Sequence, residues 1–160
     1  MFKFLHKNKD EEIKAPLTGE VIELSDVADP VFSQKMMGEG FGIHPSSGTI
    51  YAPVSGKVTL VADTKHGIGI TTDSGFEVLI HLGIDTVELK GAPFTINIAV
   101  GDEVKAGQEI GTMDLAAIKD AGKDSTVMVV ITNSKDVVDK MTVETGNKNG
   151  GETAAQVTKK

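Results

Sequence analysis

Two histidines near the middle of the sequence are the residues best suited to carry out chemistry. His81 lies in an apolar run that begins at Phe76 and is soon followed by Gly83, and His66 precedes that run. A neutral imidazole is both a common metal ligand and a competent nucleophile near pH 7. The pair therefore indicates a metal site or a nucleophilic site, with two ordinary surface histidines as the remaining alternative.

The segment between the histidines predicts a β-hairpin that brings them together. With Asp73 and Ser74 as a two-residue turn, His66 pairs with His81, and directly opposed residues have Cβ atoms about 4.5–5.5 Å apart. An odd-length loop would make the histidines diagonal neighbours instead. Alternate residues of the second strand are apolar and are expected to face the core: Phe76, Val78, Ile80 and Leu82.

Glycines shape the surface that we expect around His81. The predicted register places Gly67 and Gly69 on the face opposite the histidines, where they permit close backbone approach. Gly83 follows His81 by two residues and shares its face, so no side chain fills the space beside the ring. The pattern predicts a shallow crater. Asp85 is either an electrostatic partner of the imidazole or an ordinary turn aspartate.

Composition narrows the class of protein. The chain has 160 residues, which suits one domain with a proper core. Its net charge of −7 argues against a nucleic-acid partner, because phosphates demand a basic face. It has no cysteine, which removes thiol nucleophiles and cysteine zinc sites and fits a reducing cytoplasm. No apolar run approaches the roughly 20 residues that cross a bilayer, so we expect a cytoplasmic location.

Short strand patterns separated by glycine and proline turns predict an all-β fold, an antiparallel β-sandwich or flattened barrel with only short helical turns. The pattern A-P-x-[ST]-G-x-V begins at Ala15 and again at Ala52, which indicates internally duplicated β-units. Thr126–Thr132 is the strongest strand pattern. Leu115–Ile118 predicts a short helix with Asp114 as its N-cap.

The ends of the chain are polar. We expect residues 1–12 to form a flexible tail, whose basic and aromatic start offers at most weak contact with an anionic membrane. Residues 13–160 are expected to form a single domain. From about residue 145 the chain is polar and glycine-rich, which predicts a loosely held segment with a short or absent closing strand.

The sequence around His81 resembles a known signature. Gly75–Val87, continued by Glu88–Gly91, is similar to the histidine motif of the glucose-type IIA proteins of the bacterial phosphoenolpyruvate-dependent sugar phosphotransferase system. The resemblance covers roughly residues 13–141. It extends to five shorter segments: Ala15–Gly19, Asp29–Phe32, Met36–Gly40, Ala52–Gly56 and Thr64–His66.

The resemblance implies a phosphocarrier without a cofactor. His81 would accept a phosphoryl group on Nε2 from the phosphohistidine of the small carrier HPr and pass it to a cysteine on the IIB domain of a sugar permease. His66 would support the phosphoryl group, and Thr64 would orient His66. Regulatory proteins are further partners that the resemblance allows. It also implies an apolar rim for docking both partners: Val31, Phe32, Met36, Met37 and Val87.

Two other functions fit parts of the sequence. Gly101–Gln108 resembles the hairpin of lipoyl and biotinyl carrier domains, but no motif offers the modified lysine. His81–Asp85 has the H-x-x-x-D spacing of lysostaphin-type zinc endopeptidases, but the H-x-H half of that site is missing. His66 and His81 would bind zinc only with a further ligand from a partner.

Overall fold

Short strands dominate residues 10–160, the part of the chain that the computed structural model describes. The first seven strands are β1 (Asp10–Lys14), β2 (Gly19–Glu23), β3 (Glu39–Pro45), β4 (Thr49–Tyr51), β5 (Gly56–Val61), β6 (Gly67–Thr71) and β7 (Glu77–Ile84). The others are β8 (Phe94–Ile96), β9 (Glu103–Val104), β10 (Glu109–Met113), β11 (Asp124–Ile131), β12 (Val138–Val143), β13 (Gly146–Lys148) and β14 (Thr153–Lys159). Every pairing is antiparallel, so the predicted all-β class is confirmed.

The strands form one large sheet and two small ones that pack as a sandwich. The large sheet has eight strands in the order β13-β2-β3-β11-β7-β6-β5-β9, and the small sheets have the orders β1-β14-β12 and β4-β10-β8. The main core joins all three sheets, with Ile80 from the large sheet and Val157 and Ile110 from the small ones fully buried. The core side of β7 is as predicted, because Phe76, Val78, Ile80 and Leu82 are all buried there.

A second, smaller apolar cluster lies outside the main core and supports the histidine region. Strand β11 directs Val127 and Val129 into the main core, whereas Met128 and Val130 belong to the second cluster. This alternation follows from the two-residue period of a strand. Met128 pairs directly with His81 of β7, so the second cluster adjoins His81. Three residues that precede β3 complete the cluster: Leu24, Val27 and Phe32.

The repeated sequence pattern corresponds to a reciprocal backbone contact. The Lys14 amide donates to the Pro53 carbonyl at 2.8 Å, and the Tyr51 amide donates to the Pro16 carbonyl at 2.7 Å. Each copy of the pattern thus receives a hydrogen bond from the residue that precedes the other copy. Strands β2 and β5 follow the two copies. This exchange supports the predicted duplication of a β-unit.

The helices are short, as expected. Asp114 accepts a hydrogen bond from the Ala117 amide at 3.0 Å, which confirms it as an N-cap. The α-helices are α1 (Pro30–Ser33), α2 (Leu115–Asp120) and α3 (Ser134–Val137), and the 3₁₀ helices are Leu24–Asp26 and Thr86–Leu89.

Both ends of the described chain are more ordered than we expected. Strand β1 begins at Asp10, within the expected tail, and pairs with β14. The region after residue 145 is not loosely held, because β13 pairs with β2, and β14 lies between β1 and β12. Strand β14 has seven residues, and Val157 in it is 1% exposed. Residues 1–9, with the expected membrane contact, lie outside the described residues.

The predicted hairpin register is wrong by one residue. His81 pairs with Gly67 instead of His66. The cause is a third loop residue, Gly75, which has a φ of +99°, and the Thr72 amide donates to the Phe76 carbonyl across the loop. A positive φ at glycine closes a three-residue hairpin loop without steric cost.

Candidate functional site

The ring of His81 is held by the backbone two residues further along β7. Its Nδ1 lies 2.8 Å from the carbonyl oxygen of Gly83. A carbonyl oxygen only accepts hydrogen bonds, so this contact requires the proton on Nδ1. In the neutral ring, Nε2 therefore carries the free lone pair. The geometry supplies an imidazole whose tautomer and orientation are set for nucleophilic attack through Nε2.

His66 lies beside His81 in spite of the shifted register. The His66 carbonyl accepts a hydrogen bond from the Leu82 amide at 2.7 Å, so His66 stands opposite Leu82, one residue before β6 begins. The two ring centroids are 5.1 Å apart with the planes at 80°. Thr64 Oγ1 lies 2.5 Å from His66 Nδ1, and this hydrogen bond orients the second ring. The structure thus brings together the three residues that the sequence analysis singled out for chemistry.

Phe32 closes one side of the His81 ring. The centroids of the Phe32 and His81 rings are 5.0 Å apart, and the side chain of Phe32 is 4% exposed. Helix α1 fixes this position, because Pro30 occupies its first turn and Asp29 caps it by accepting a hydrogen bond from the Val31 amide at 2.9 Å. Phe32 therefore limits water access to the imidazole.

Both imidazoles favour the neutral form. Burial is the largest effect and lowers the pKa of His81, while the hydrogen bond to the Gly83 carbonyl opposes it. The neighbouring His66 lowers this pKa as well, and Asp29 and Asp85 raise it slightly. Burial also lowers the pKa of His66. An unperturbed histidine has a pKa of about 6.5. Both rings are therefore mainly uncharged at pH 7, which leaves Nε2 of His81 available as a nucleophile.

Gly67 and Gly83 do not have the positions around His81 that the sequence predicted. Gly67 pairs with His81 and so lies on its face of the sheet, not on the opposite face. A Cβ atom at Gly67 would make ordinary contact with Cβ of Ala62 at 3.8 Å, so the position leaves room for a small side chain. A Cβ atom at Gly83 would lie 2.4 Å from Cγ2 of Thr86, so the space there is filled. Room beside His81 is therefore found at Gly67 and not at Gly83, which contributes its carbonyl oxygen.

The five residues assigned to the docking rim differ in exposure. Val31, Met36 and Val87 are 42%, 70% and 47% exposed. Met37 is partly buried against the second cluster, and Phe32 is buried. Three of the five thus present apolar surface to solvent, while Phe32 packs against His81.

Sequence reasoning missed two exposed apolar residues, Val100, which is 62% exposed, and Leu60, which is 46% exposed. Strict alternation in β5 would bury Leu60 together with Val58. A β-bulge between these two residues shifts the register and directs Leu60 outward. Leu60 and Leu79 line a groove of about 220 Å³ on the outer side of β5, β6 and β7. No sequence signal marks this bulge.

Asp85 has a structural role of its own. It adopts a left-handed conformation with φ of +61°, it is exposed, and it precedes the 3₁₀ helix Thr86–Leu89. Aspartate tolerates this conformation better than most residues. A turn role therefore accounts for Asp85, and its effect on the pKa of His81 is a minor one.

The described residues offer few other ligands near the histidines. Within residues 10–160, no group of three or more His, Cys, Asp or Glu side chains is arranged to hold a metal ion. Two imidazoles alone fall short of the three protein ligands of a catalytic zinc site. In the same part of the chain, no helix is both long enough and apolar enough to cross a membrane.

The sequence matches a family described as phosphoenolpyruvate-dependent sugar phosphotransferase system, EIIA 1. The match covers residues 11–137 and so includes His66, His81 and the helix that carries Phe32.

Individual relatives agree with this match. The chain is 45% identical over 139 residues to the PTS system glucose-specific EIIA component of Staphylococcus epidermidis, covering 84% of each protein. It is 49% identical over 127 residues to the PTS system glucose-specific EIICBA component of Streptococcus pneumoniae. That alignment covers 79% of this chain and only 18% of the Streptococcus protein.

A solved structure has the same fold. The glucose permease IIA from Mycoplasma capricolum matches with a TM-score of 0.83 and 36% sequence identity, covering 94% of this chain and 97% of that one. The chain therefore belongs to the EIIA 1 family of the phosphoenolpyruvate-dependent sugar phosphotransferase system, as a IIA component of the glucose type.

Proposed function

We propose that this protein is a phosphocarrier that takes a phosphoryl group from phospho-HPr onto Nε2 of His81 and passes it to the IIB domain of a glucose-family sugar permease. The observation that carries the proposal is the hydrogen bond from His81 Nδ1 to the Gly83 carbonyl at 2.8 Å. It leaves Nε2 unprotonated, and a phosphoryl acceptor needs that lone pair.

Each of the two transfers exchanges one bond to phosphorus for another. In the first, the Nε2 lone pair attacks phosphorus, the N–P bond of the donor phosphohistidine breaks, and the donor imidazole leaves with the electron pair. In the second, a thiolate of the IIB domain attacks phosphorus, and the electron pair of the His81–phosphorus bond returns to Nε2. The proton on Nδ1 stays in place throughout, because the Gly83 carbonyl holds it.

His66 supports the phosphoryl group in this proposal. Its ring lies 5.1 Å from that of His81, between centroids, and Thr64 fixes its orientation. A neighbouring imidazole that donates a hydrogen bond to a phosphoryl oxygen stabilises the charge that moves during transfer. Asp85 is assigned no more than a weak electrostatic effect on the ring.

The docking surface consists of the exposed apolar residues Val31, Met36 and Val87 together with the partly buried Met37. Apolar contact with a partner excludes water and so limits hydrolysis of the labile N–P bond. Phe32 packs against the inner side of the imidazole and belongs to the same apolar cluster as Met128 and Val130. It therefore excludes water from that side without a partner. We place this exchange in the cytoplasm, with regulatory proteins as further partners.

Labelling tests the first transfer. HPr, its phosphorylating enzyme and labelled phosphoenolpyruvate should transfer label to the wild-type chain, and His81→Ala should take none. His44→Ala is the matched control, since His44 is an exposed histidine whose Nδ1 is also hydrogen-bonded, to Thr126 Oγ1 at 3.1 Å. Labelling of the His81→Ala protein, or loss of labelling in the His44→Ala protein alone, contradicts the assignment.

A second variant separates the role of His66 from that of His81. His66→Gln should accept phosphate from phospho-HPr but pass it slowly to a purified IIB domain, because it lacks an imidazole beside the phosphoryl group. Normal onward transfer by this variant would remove His66 from the mechanism. Family membership favours this function over a lipoyl or biotinyl carrier and over a zinc endopeptidase.

A further inference from the structure

A second candidate binding site lies apart from the histidines, in a cavity of about 550 Å³ between the start of β3, helix α3 and strand β12. None of the residues that we assign to phosphoryl transfer lines it. Its charged lining residues are Lys35, Glu39, Lys135, Asp139, Lys140 and Lys160. We call it the lysine cavity.

The lysine cavity is positive in a protein that is negative overall. Its lining contains four lysine and two carboxylate side chains, whereas the whole chain has a net charge of −7. Four lysines minus two carboxylates leave the side chains of the lining with a net charge of +2, which raises the local potential. The charge pattern thus favours a negatively charged ligand.

Two of the four ammonium groups are uncommitted. Lys35 pairs with Glu39 at 3.2 Å, and Lys160 Nζ donates to the Lys135 carbonyl at 2.9 Å. Among the described residues, the Nζ atoms of Lys135 and Lys140 make neither an ion pair nor a hydrogen bond. These two groups are therefore free to contact an anion.

A buried hydroxyl offers a neutral donor in the same cavity. Ser134 is 8% exposed and lines the cavity, and its Oγ accepts a hydrogen bond from the Glu39 amide at 3.0 Å. A hydroxyl both accepts and donates, and the hydrogen of Ser134 has no acceptor among the described residues. This hydroxyl can therefore donate a hydrogen bond to an anion in the cavity.

We propose that the lysine cavity binds a small phosphorylated metabolite. Lysine is a common phosphate ligand, and the volume lies within the range of about 300–1,000 Å³ that is typical of small-molecule sites. The phosphate is placed against Lys135, Lys140 and the Ser134 hydroxyl. Val138 and Met141 form an apolar wall in the same cavity, which suits the carbon skeleton of the ligand. This inference does not depend on the proposed phosphoryl transfer.

Titration followed by amide NMR tests the proposal. Glucose 6-phosphate and pyrophosphate are the probes, and sodium chloride at the same ionic strength is the control for general screening. We expect saturable shifts that are confined to residues 134–141 and to Lys35–Glu39. Shifts that grow without saturation, or that sodium chloride reproduces, would overturn the proposal.

Matched variants assign the binding to the cavity. The double variant Lys135→Gln and Lys140→Gln should lose at least about tenfold in affinity, because two charge-assisted contacts disappear. The control Lys57→Gln and Lys119→Gln removes the same charge from exposed lysines outside the cavity and should bind like the wild type. Equal losses of affinity in both double variants would show that binding depends only on the net charge of the protein, and this would refute the site. If the first double variant does not fold, Lys140→Gln alone replaces it, with Lys57→Gln as its control.

Larger anions distinguish the proposed ligand from other occupants. Polyglutamate and vesicles of anionic lipid are added to the wild-type chain under the same conditions. Binding of either one through Lys135 and Lys140, with no saturable binding of the phosphorylated probes, would contradict the proposal and assign the cavity to a protein or membrane partner.

Discussion

The Gly83 carbonyl accepts a hydrogen bond from the His81 ring, and Gly83→Ala is expected to displace that carbonyl. Gly83 has a φ of +89°, which an alanine rarely adopts, and a Cβ atom there would lie 2.4 Å from Cγ2 of Thr86. Thr86 is fully buried, and its hydroxyl donates to the Leu82 carbonyl at 2.5 Å, so it cannot move aside without losing that bond. The backbone must shift instead, and with it the carbonyl that orients His81.

The stability cost can be estimated from two effects. A positive φ costs an L-residue about 1–2 kcal/mol, and overpacking a buried contact costs about 1–3 kcal/mol. Gly83→Ala should therefore lower the free energy of unfolding by about 2–5 kcal/mol. Gly107→Ala is the matched control, because Gly107 has a φ of +88° and has no heavy atom within 4 Å of its Cβ position. It should cost only about 1–2 kcal/mol.

Two measurements check these expectations. Urea unfolding at pH 7 gives the free energies, and initial rates of labelling by phospho-HPr give the effect on His81. We expect Gly83→Ala to be labelled about tenfold more slowly, because a lost orienting hydrogen bond raises the barrier by about 1–1.5 kcal/mol. Gly107→Ala should keep the wild-type rate.

Equal unfolding free energies for the two glycine variants would refute the contact with Thr86. A wild-type labelling rate in Gly83→Ala would refute the role of the carbonyl. If Gly83→Ala does not fold, nitrogen NMR of the wild-type His81 ring still tests the geometry. A proton on Nε2 of the neutral ring instead of Nδ1 would contradict it.

Three further predictions concern titration and the second imidazole. Burial lowers the pKa of His81 in the folded protein. As the pH falls, the ring therefore takes up its proton first in the unfolded chain, whose pKa is about 6.5. His81 should thus make the fold less stable as the pH falls below about 6.5. A ring-resolved NMR titration measures the shift. Thr64→Val removes the hydrogen bond to His66 Nδ1 and should slow transfer to a IIB domain while leaving acceptance from phospho-HPr unchanged, as measured in separate single-turnover assays. Burial raises the pKa of Glu11, against the opposing hydrogen bond from Ser74. The unfolded chain therefore loses this proton first as the pH rises from about 4.5, and the wild type should lose stability relative to Glu11→Gln up to the raised pKa. Urea unfolding of both proteins across this pH range measures the difference.

Each of these three has a clear contrary result. A His81 pKa at or above 6.5 would show that burial does not govern the ring. If Thr64→Val accepts phosphate more slowly but passes it on at the wild-type rate, Thr64 acts in acceptance and not in onward transfer. A constant stability difference between wild type and Glu11→Gln across the pH range would show that Glu11 titrates as it does in the unfolded chain.

The sequence was sufficient to predict the hairpin and its buried face. A strict apolar alternation from Phe76 to Leu82 can bury only one side of a strand, and that side is buried. The same reasoning brought His66 and His81 together, although the residue that pairs with His81 is Gly67. Asp114 was also predictable, because an N-cap is a local interaction between residues three apart.

Other features depend on contacts that the sequence does not encode locally. A D-S-G turn fits both a two-residue and a three-residue loop, and the positive φ of Gly75 decides between them. Strand β14 was missed because its partner β1 comes from the opposite end of the chain and its buried residues include two alanines, Ala154 and Ala155. The packing of Phe32 on His81 was also beyond local patterns, because α1 reaches β7 only across the folded sheet.

The pairing of β1 with β14 also affects how this unit can be joined to other polypeptides. Asp10 pairs with Thr158, and paired Cα atoms in an antiparallel ladder lie about 4.5–5.5 Å apart. The chain therefore enters and leaves the fold at one place. A unit of this kind can be inserted into a longer protein through two short linkers without stretching either strand. It can also be circularly permuted by a linker of a few residues, with new ends opened at an exposed turn such as Gly107.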